Sequence, residues 1–317
     1  MAIKSFSFIL VAVSFLTACQ STPVKKPMPT GARPEFGLPP TQTRPTQTPI
    51  EEQAPVVPYE PSQPKKVAVI LGPGGAKSFA HVGVLKAFQQ QRIPVEKVIG
   101  LEWGSLIAGM FAVKGQTHDV EWKLYKMEQQ NLLQPKGFFN RRSDENSINV
   151  MDSFLNETFG VEDVAKARVP FVCPTRSVYS GVVAWQSKGL FKDVMKRCLQ
   201  FPPIFRPQGT FLAGASQASE AVEMLVKEGY NVIILVNVLG SALPVGQDAL
   251  RDNLNYVILW QEIKRAILET SRLNIDTVTV DTSSYPMMQF GAKKELISLG
   301  EAAGLKAAGG LISKYGF

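Results

Sequence analysis

The sequence predicts an α/β fold of three layers, in which a mainly parallel sheet carries helices on both faces. From Lys65 to the end of the chain, short apolar runs alternate with helical segments, and this alternation is typical of β-α-β units. The runs are mostly apolar rather than alternating, and 230–238 is the clearest of them. Strands of this kind are buried on both faces, as they are in parallel sheets.

The sequence of residues 1–18 is typical of an export signal. Lys4 provides a positive charge, residues 6–15 form an apolar run, and Leu16-Thr-Ala-Cys19 forms a small-residue cleavage site. The run is too short to span a bilayer comfortably, which disfavours an uncleaved membrane anchor; an ordinary signal peptide is the other alternative. Leu-Thr-Ala before Cys19 resembles the lipobox of bacterial lipoproteins, which implies cleavage there, acyl chains on Cys19 and a membrane anchor.

The composition of residues 19–64 predicts an extended, disordered tether that begins at the acylated Cys19. They hold more than half of the chain's proline, mixed with Thr, Gln and Ser, and show no apolar period. About 45 residues of such chain reach on the order of 140 Å at full extension. Lipoproteins kept at the inner membrane usually carry Asp after the acylated Cys, whereas this chain has Gln20. We therefore expect a bacterial cell envelope protein, at the outer membrane if the cell is Gram-negative.

The folded domain, residues 65–317, opens with a glycine-rich turn between a strand and a helix. The strand is predicted at 66–71, and the helix carries Ala80, Val84, Leu85 and Phe88 at helical spacing. Backbone N–H groups in such a turn form a cradle for anions. The loop residues are Gly72, Gly74, Gly75, Ala76 and Lys77. Their spacing matches neither the dinucleotide fingerprint nor the P-loop, so we expect no cofactor.

A nucleophile elbow is predicted directly after the second strand, 95–99. Gly100 and Gly104 flank the turn, and a small-residue helix follows to about Val113. In hydrolases this sharp turn exposes a serine above the sheet. Here the position holds Glu102.

The rest of the domain continues the alternation, with no internal repeat. Further helices are predicted at 119–131, 147–159, 191–199, 219–228, 254–270 and 293–308, and further strands at 169–174, 182–186 and 277–280.

In this order, residues 65–317 resemble the bacterial branch of the patatin-like phospholipase family. The resembling segments are the loop and helix at 72–85, the elbow at 99–109, the Pro-rich turn at 202–207, the segment 211–215 in place of an Asp-Gly-Gly/Ala motif, and a closing helix at 295–301. The resemblance implies serine acyl hydrolysis by a Ser–Asp dyad with an oxyanion hole of glycine N–H groups. The nucleophile position falls on Glu102 and the Asp position on Ala213, so neither catalytic residue is intact. Ser78 replaces a usual glycine, and Trp103 is bulky for its place.

Two placements of Glu102 follow from its position. In the first, the carboxylate occupies the oxyanion hole, because the side chain is longer than that of serine. There it lies at the positive end of a helix, which predicts a lowered pKa of Glu102. In the second, the side chain points into solvent. Ser105, within the helix, is expected to cap or pack, and His81 to pack within its helix.

The remaining titratable residues favour no metal or nucleic acid. The histidines, His81 and His118, and two cysteines lack ligand spacing, so we expect no metal site. Cys173 and Cys198 are interpreted as small core residues, with a bridge left open for an oxidising envelope. The net charge of +7 shows no basic block and suits an anionic membrane better than nucleic acid.

These observations predict a lipid-anchored pseudoenzyme that binds a lipid, an acyl chain or an envelope protein. The first alternative is an active lipid acyl hydrolase with Glu102 as general base for water. The second is a purely structural envelope protein.

Overall fold

The computed structural model describes residues 63–127, 147–202, 204–240 and 254–317, with the side chains of 254–256 and 258–259 not described. All of these residues belong to one unit, Glu52–Phe317. The predicted signal (1–18), the predicted acylation site Cys19 and nearly all of the predicted tether lie outside the described residues. Within the described ranges, no helix is long and apolar enough to cross a membrane.

Seven strands form one mainly parallel sheet. They are β1 (Val67–Leu71), β2 (Lys97–Gly100), β3 (Phe171–Ser177), β4 (Val183–Gln186), β5 (Phe211–Ala213), β6 (Val232–Asn237) and β7 (Asp276–Thr279). Their order is β4-β3-β2-β1-β6-β7, and β5 pairs with β3. The neighbouring pairs β3–β2, β2–β1, β1–β6 and β6–β7 are parallel. Strands β4 and β5 run antiparallel to β3.

Helices cover both faces of the sheet and complete a three-layer α/β fold. In the described part of the chain they are α1 (Ala80–Gln90), α2 (Gly104–Lys114), α3 (Thr117–Lys126), α4 (Asp152–Phe159), α5 (Phe191–Leu199), α6 (Ala218–Lys227), α7 (Leu254–Glu269) and α8 (Lys293–Tyr315). α1 packs along α8, α2 against α3 and α5, and α6 against α7. The two central strands β1 and β2 are buried along their whole length, as their apolar sequences predict.

Two helices end elsewhere than the sequence predicts. α8 continues past Ala308 to Tyr315, although Gly309 and Gly310 are poor helix formers. Leu311 and Tyr315 are buried in the core, so packing of the last turns outweighs the low propensity of the glycines. α3 ends at Lys126 because Met127 is extended, and residues 128–131 of the predicted helix lie outside the described residues.

A disulfide joins β3 to α5. Cys173 and Cys198 are bonded, 25 residues apart in sequence, and both are fully buried. The bridge left open by the sequence is therefore present. It ties the edge of the sheet that carries β4 and β5 to the helix that packs on α2.

Reduction of this bridge is expected to lower the free energy of unfolding by about 3 kcal/mol, because a loop of this length loses its constraint in the unfolded chain. Urea denaturation with and without dithiothreitol measures the change. The variant C173A/C198A serves as the control, since its unfolding midpoint must not respond to the reductant. An unchanged midpoint for the wild-type chain would show that the bridge adds no stability.

Candidate functional site

The predicted elbow is present at the carboxyl end of β2. Glu102 has a φ of 51°, in the left-handed region that side chains other than glycine rarely adopt. Its backbone N–H donates to the carbonyl of Gly214 at 3.1 Å, and the N–H of Leu101 donates to Leu71 at 2.9 Å. These bonds fix the turn against two neighbouring chain segments, and α2 begins directly after it.

The two flanking glycines are required by close backbone contacts. A Cβ atom on Gly100 would lie 2.2 Å from the Cα of Ser105, and one on Gly104 would lie 2.3 Å from the carbonyl oxygen of Leu71. Neither neighbour is a flexible side chain, so any larger residue would displace the turn. The glycine pattern noticed in the sequence therefore has a steric cause.

The Glu102 carboxylate binds the glycine-rich loop. Its Oε2 accepts hydrogen bonds from the backbone N–H groups of Gly74 at 2.9 Å and Gly75 at 3.1 Å, and the residue is fully buried. The predicted plugged geometry is thus found, and the alternative in which Glu102 points into solvent is wrong. These are the two N–H groups that an oxyanion hole at this loop would offer.

The other predicted loop residues do not face Glu102 with their amides. The N–H of Gly72 donates to Val236, that of Ala76 to Met287, and that of Lys77 to Gly74. The side chain of Lys77 is buried, and its Nζ lies 3.4 Å from the carbonyl of Leu239. Burial lowers the pKa of Lys77 to about 8. The cradle therefore consists of the amides of Gly74 and Gly75.

The predicted low pKa of Glu102 is wrong. Burial raises its pKa to about 7, although the backbone N–H groups of Trp103, Gly74 and Gly75 act in the opposite direction. The hydrogen bonds and the helix end favour the carboxylate, but they do not compensate for its complete removal from water. Its other oxygen, Oε1, has no hydrogen-bond partner among the described residues.

Position 213, where the resemblance places the Asp of the dyad, lies beside the elbow. Ala213 ends β5, is 2% exposed, and donates its N–H to Gln200 at 2.9 Å. The next residue, Gly214, accepts the N–H of Glu102. The structure thus brings positions 102 and 213 together, but an alanine methyl group can accept no proton.

Trp103 fills the space next to the elbow with an aromatic cluster, which comprises Phe79, Trp103, Phe205 and Phe290. The indole stacks on Phe205 at 6.1 Å between ring centroids, with planes 15° apart, and lies 4.8 Å from Phe290 and 6.5 Å from Phe79. All four rings are fully buried. The sequence showed that Trp103 is bulky, but it gave no signal for the three phenylalanines, which come from separate segments.

The other candidate side chains at this site serve packing. Ser105 donates its hydroxyl to the carbonyl of Gly100 at 2.8 Å, as predicted. His81 places Nε2 at 2.7 Å from the carbonyl of Gly72, so that nitrogen carries a proton and donates. Burial lowers the pKa of His81 to about 4, which leaves the ring neutral at pH 7. In the described part of the chain, no group of three His, Cys, Asp or Glu side chains could hold a metal ion.

Replacement of Glu102 by Gln is expected to remove a pH dependence of stability. The folded chain binds the Glu102 proton more tightly than the unfolded chain, because the folded pKa is about 7 and the usual value is ~4.3. The free energy of unfolding of the wild type therefore falls as pH rises between these values, by about 4 kcal/mol in total. E102Q has no such proton, so it should be the more stable variant at pH 8 but not at pH 4.

Urea denaturation at several pH values measures this difference. The matched control is E262Q, in which an exposed glutamate of α7 is neutralised, and its pH profile should follow that of the wild type. Parallel profiles for E102Q and wild type would contradict a raised pKa for Glu102.

Parts of this chain are similar to known proteins. Residues 69–215 match the family model of patatin-like phospholipases. A lysophospholipase of Neurospora crassa, nte1, is 24% identical over 181 residues, 55% of this chain and 12% of that protein. An uncharacterised NTE family protein of Mycobacterium bovis is 22% identical over 219 residues, 67% of this chain and 58% of that protein.

Among solved structures, VipD from Legionella pneumophila is 10% identical, with a TM-score of 0.47, over 78% of this chain and 67% of that one. This chain spans less than two thirds of the length of the two sequence relatives just described. The matched segment, 69–215, contains the glycine-rich loop, the elbow and position 213. Residues 69–215 therefore belong to the patatin-like phospholipase family.

Proposed function

We propose that this protein is a membrane-anchored pseudoenzyme of the cell envelope, which acts by binding a lipid, an acyl chain or a protein partner. The observation that carries the proposal is the contact of the Glu102 carboxylate with the N–H groups of Gly74 and Gly75. A side chain of the protein holds the donors that would stabilise an oxyanion, and Ala213 supplies no base. Loss of a nucleophile or a base alone lowers hydrolysis on the order of 10³- to 10⁶-fold.

The location in the envelope is supported by two independent features. The lipobox-like sequence before Cys19 is typical of exported lipoproteins. The Cys173–Cys198 disulfide is typical of proteins that fold in an oxidising compartment. An exported chain has access to such a compartment, whereas disulfides are rare in the reducing cytosol.

The aromatic cluster bears on what the former cleft can bind. Trp103 and its three phenylalanine neighbours are fully buried, so an acyl chain at the elbow must displace at least the Trp103 indole. A protein partner on the surface requires no such opening. Mass spectrometry of lipids that co-purify with the full chain tests the first possibility, since the acyl-chain proposal requires a stoichiometric lipid.

A second candidate function is a hydrolase in which Glu102 activates water. One observation favours it, namely the pKa of about 7, which suits a general base at neutral pH. The complete burial of Glu102 opposes it, because water and ester must both reach the carboxylate.

The assay that separates the two functions compares the full chain in detergent with E102A on short-chain esters and phospholipids. For a pseudoenzyme, the wild-type turnover should not exceed that of E102A. Wild-type turnover that E102A abolishes would establish the general-base hydrolase and overturn the pseudoenzyme.

Restoration of the dyad is expected to restore hydrolysis. In E102S/A213D, the serine frees the N–H groups of Gly74 and Gly75, and the new carboxylate lies next to the elbow. We expect turnover on the order of 10³-fold above the wild type, the size of a typical dyad contribution. The single variants E102S and A213D are the controls, and neither should match the double variant.

If E102S/A213D stays inactive but E102S/A213D/W103A hydrolyses esters, the aromatic cluster blocks the substrate. If both remain inactive while folded, the oxyanion cradle is not functional, and the geometric basis of the proposal is wrong.

A further inference from the structure

A short loop between α5 and β5 packs on the candidate site. This cover loop consists of residues 204–210 and leads directly into β5. Its first two residues, Ile204 and Phe205, are fully buried, whereas Arg206 and residues 208–210 are exposed. The cover loop therefore has an apolar inner part and a solvated outer part.

The inner part contacts both chain segments that form the plugged site. The Cδ1 of Ile204 lies 3.0 Å from the position that a Cβ atom on Gly75 would take, and the N–H of Gly75 is one of the two donors to Glu102. The ring of Phe205 stacks on Trp103, the residue after Glu102. An acyl chain that displaces the Trp103 indole therefore also disturbs its stacking on Phe205.

The outer part is attached through a few hydrogen bonds. Gln208 donates its backbone N–H to the side-chain oxygen of Gln200 at 2.7 Å and its Nε2 to the hydroxyl of Ser147 at 2.6 Å. Thr210 accepts the N–H of Val178 at 2.8 Å, just before β5 begins. Segments with few hydrogen bonds and a solvated backbone open locally at a low cost in free energy.

The base of the cover loop, in contrast, is fixed. Gln200 accepts the N–H of Ala213 at 2.9 Å, Pro174 accepts that of Gly214 at 2.8 Å, and the disulfide joins β3 to α5. Compact surface loops whose ends are held together in this way frequently carry function. Gly209 has a φ of 84°, and no described atom lies within 4 Å of where its Cβ would stand, so the chain can turn there without a clash.

We propose that the cover loop is a gate, which moves away from Gly75 and Trp103 to admit the acyl chain of a lipid. The open state is a minor population, because it exposes Ile204 and Phe205 to water. A bound acyl chain packs against the apolar residues that the movement exposes, so it favours the open state. The proposal rests on the proposed function, because it describes how a lipid reaches that site.

Hydrogen exchange measured by mass spectrometry tests the opening in the full chain without any ligand. The two glycine amides that donate to Glu102 exchange with solvent only when the site opens. The variants Q208A and Q200A each remove one hydrogen bond of Gln208. We expect each to speed exchange in the cover loop and in residues 72–79 by about fivefold, the effect of one lost hydrogen bond, while α8 keeps its wild-type rate.

The matched control is Q89A. Gln89 makes comparable bonds between α1 and the start of α3, since its Oε1 accepts the hydroxyl of Thr117 at 2.6 Å and its Nε2 donates to the carbonyl of Gly115 at 2.7 Å. These bonds involve neither the cover loop nor the glycine-rich loop. Exchange in residues 72–79 should therefore be the same in Q89A as in the wild type.

A locked cover loop tests whether a lipid enters by this route. In S147C/Q208C, a bismaleimide linker joins two positions whose side chains are in contact in the wild type. Cys173 and Cys198 are bonded to each other and do not compete for the linker. We expect the linked chain to take up radiolabelled palmitate several-fold more slowly than the same variant without the linker.

Three results would overturn the gate. Faster exchange in the cover loop alone would show that it moves independently of the site, and equally faster exchange in all peptides would show a loss of global stability. Equal palmitate uptake by the linked and unlinked chains would place the entry route elsewhere. The exchange that we expect, combined with no palmitate uptake by either form, would support an opening loop but disprove the acyl chain as its ligand, and with it the lipid-binding form of the proposed function.

Discussion

The bond between the Glu102 carboxylate and the amides of Gly74 and Gly75 is the interaction on which the site depends. It connects the elbow to the glycine-rich loop across the carboxyl edge of the sheet. A left-handed φ at a residue other than glycine costs on the order of 1–3 kcal/mol, and burial of a carboxyl group adds to that cost. The hydrogen bonds from the amides of Gly74 and Gly75 offset part of both costs, because a buried donor without an acceptor is itself costly.

Much of this site could be predicted from the sequence, because the responsible constraints are local. Gly100 and Gly104 flank the turn at a spacing typical of an elbow, and the longer side chain of Glu102 made contact with the loop one of its two predicted placements. The direction of the Glu102 pKa shift could not be predicted, for a different reason. Its direction depends on complete burial of residue 102, which results from tertiary packing and leaves no pattern in the sequence.

The fold shows the same division between local and distant causes. Apolar runs such as 230–238 identify buried strands, because both faces of a parallel sheet are covered. The end of α8 could not be predicted, because Gly309 and Gly310 predict a helix end and only the packing of Leu311 and Tyr315 reverses it. The pairing of Cys173 with Cys198 required the packing of α5 on β3, which periodicity does not show.

The presence of an elbow with a glutamate at position 102 has a steric explanation. Gly100 and Gly104 are held by contacts with Ser105 and Leu71, which belong to the core that joins β1, β2 and α2. A substitution at position 102 or 213 changes the reactive groups of the site but leaves those glycine contacts in place. A substitution at either glycine, in contrast, disturbs the central strands. A chain can therefore carry glutamate and alanine at positions 102 and 213 while its scaffold stays intact. For the pseudoenzyme that we propose, the remaining role lies in what the surface of the domain can bind.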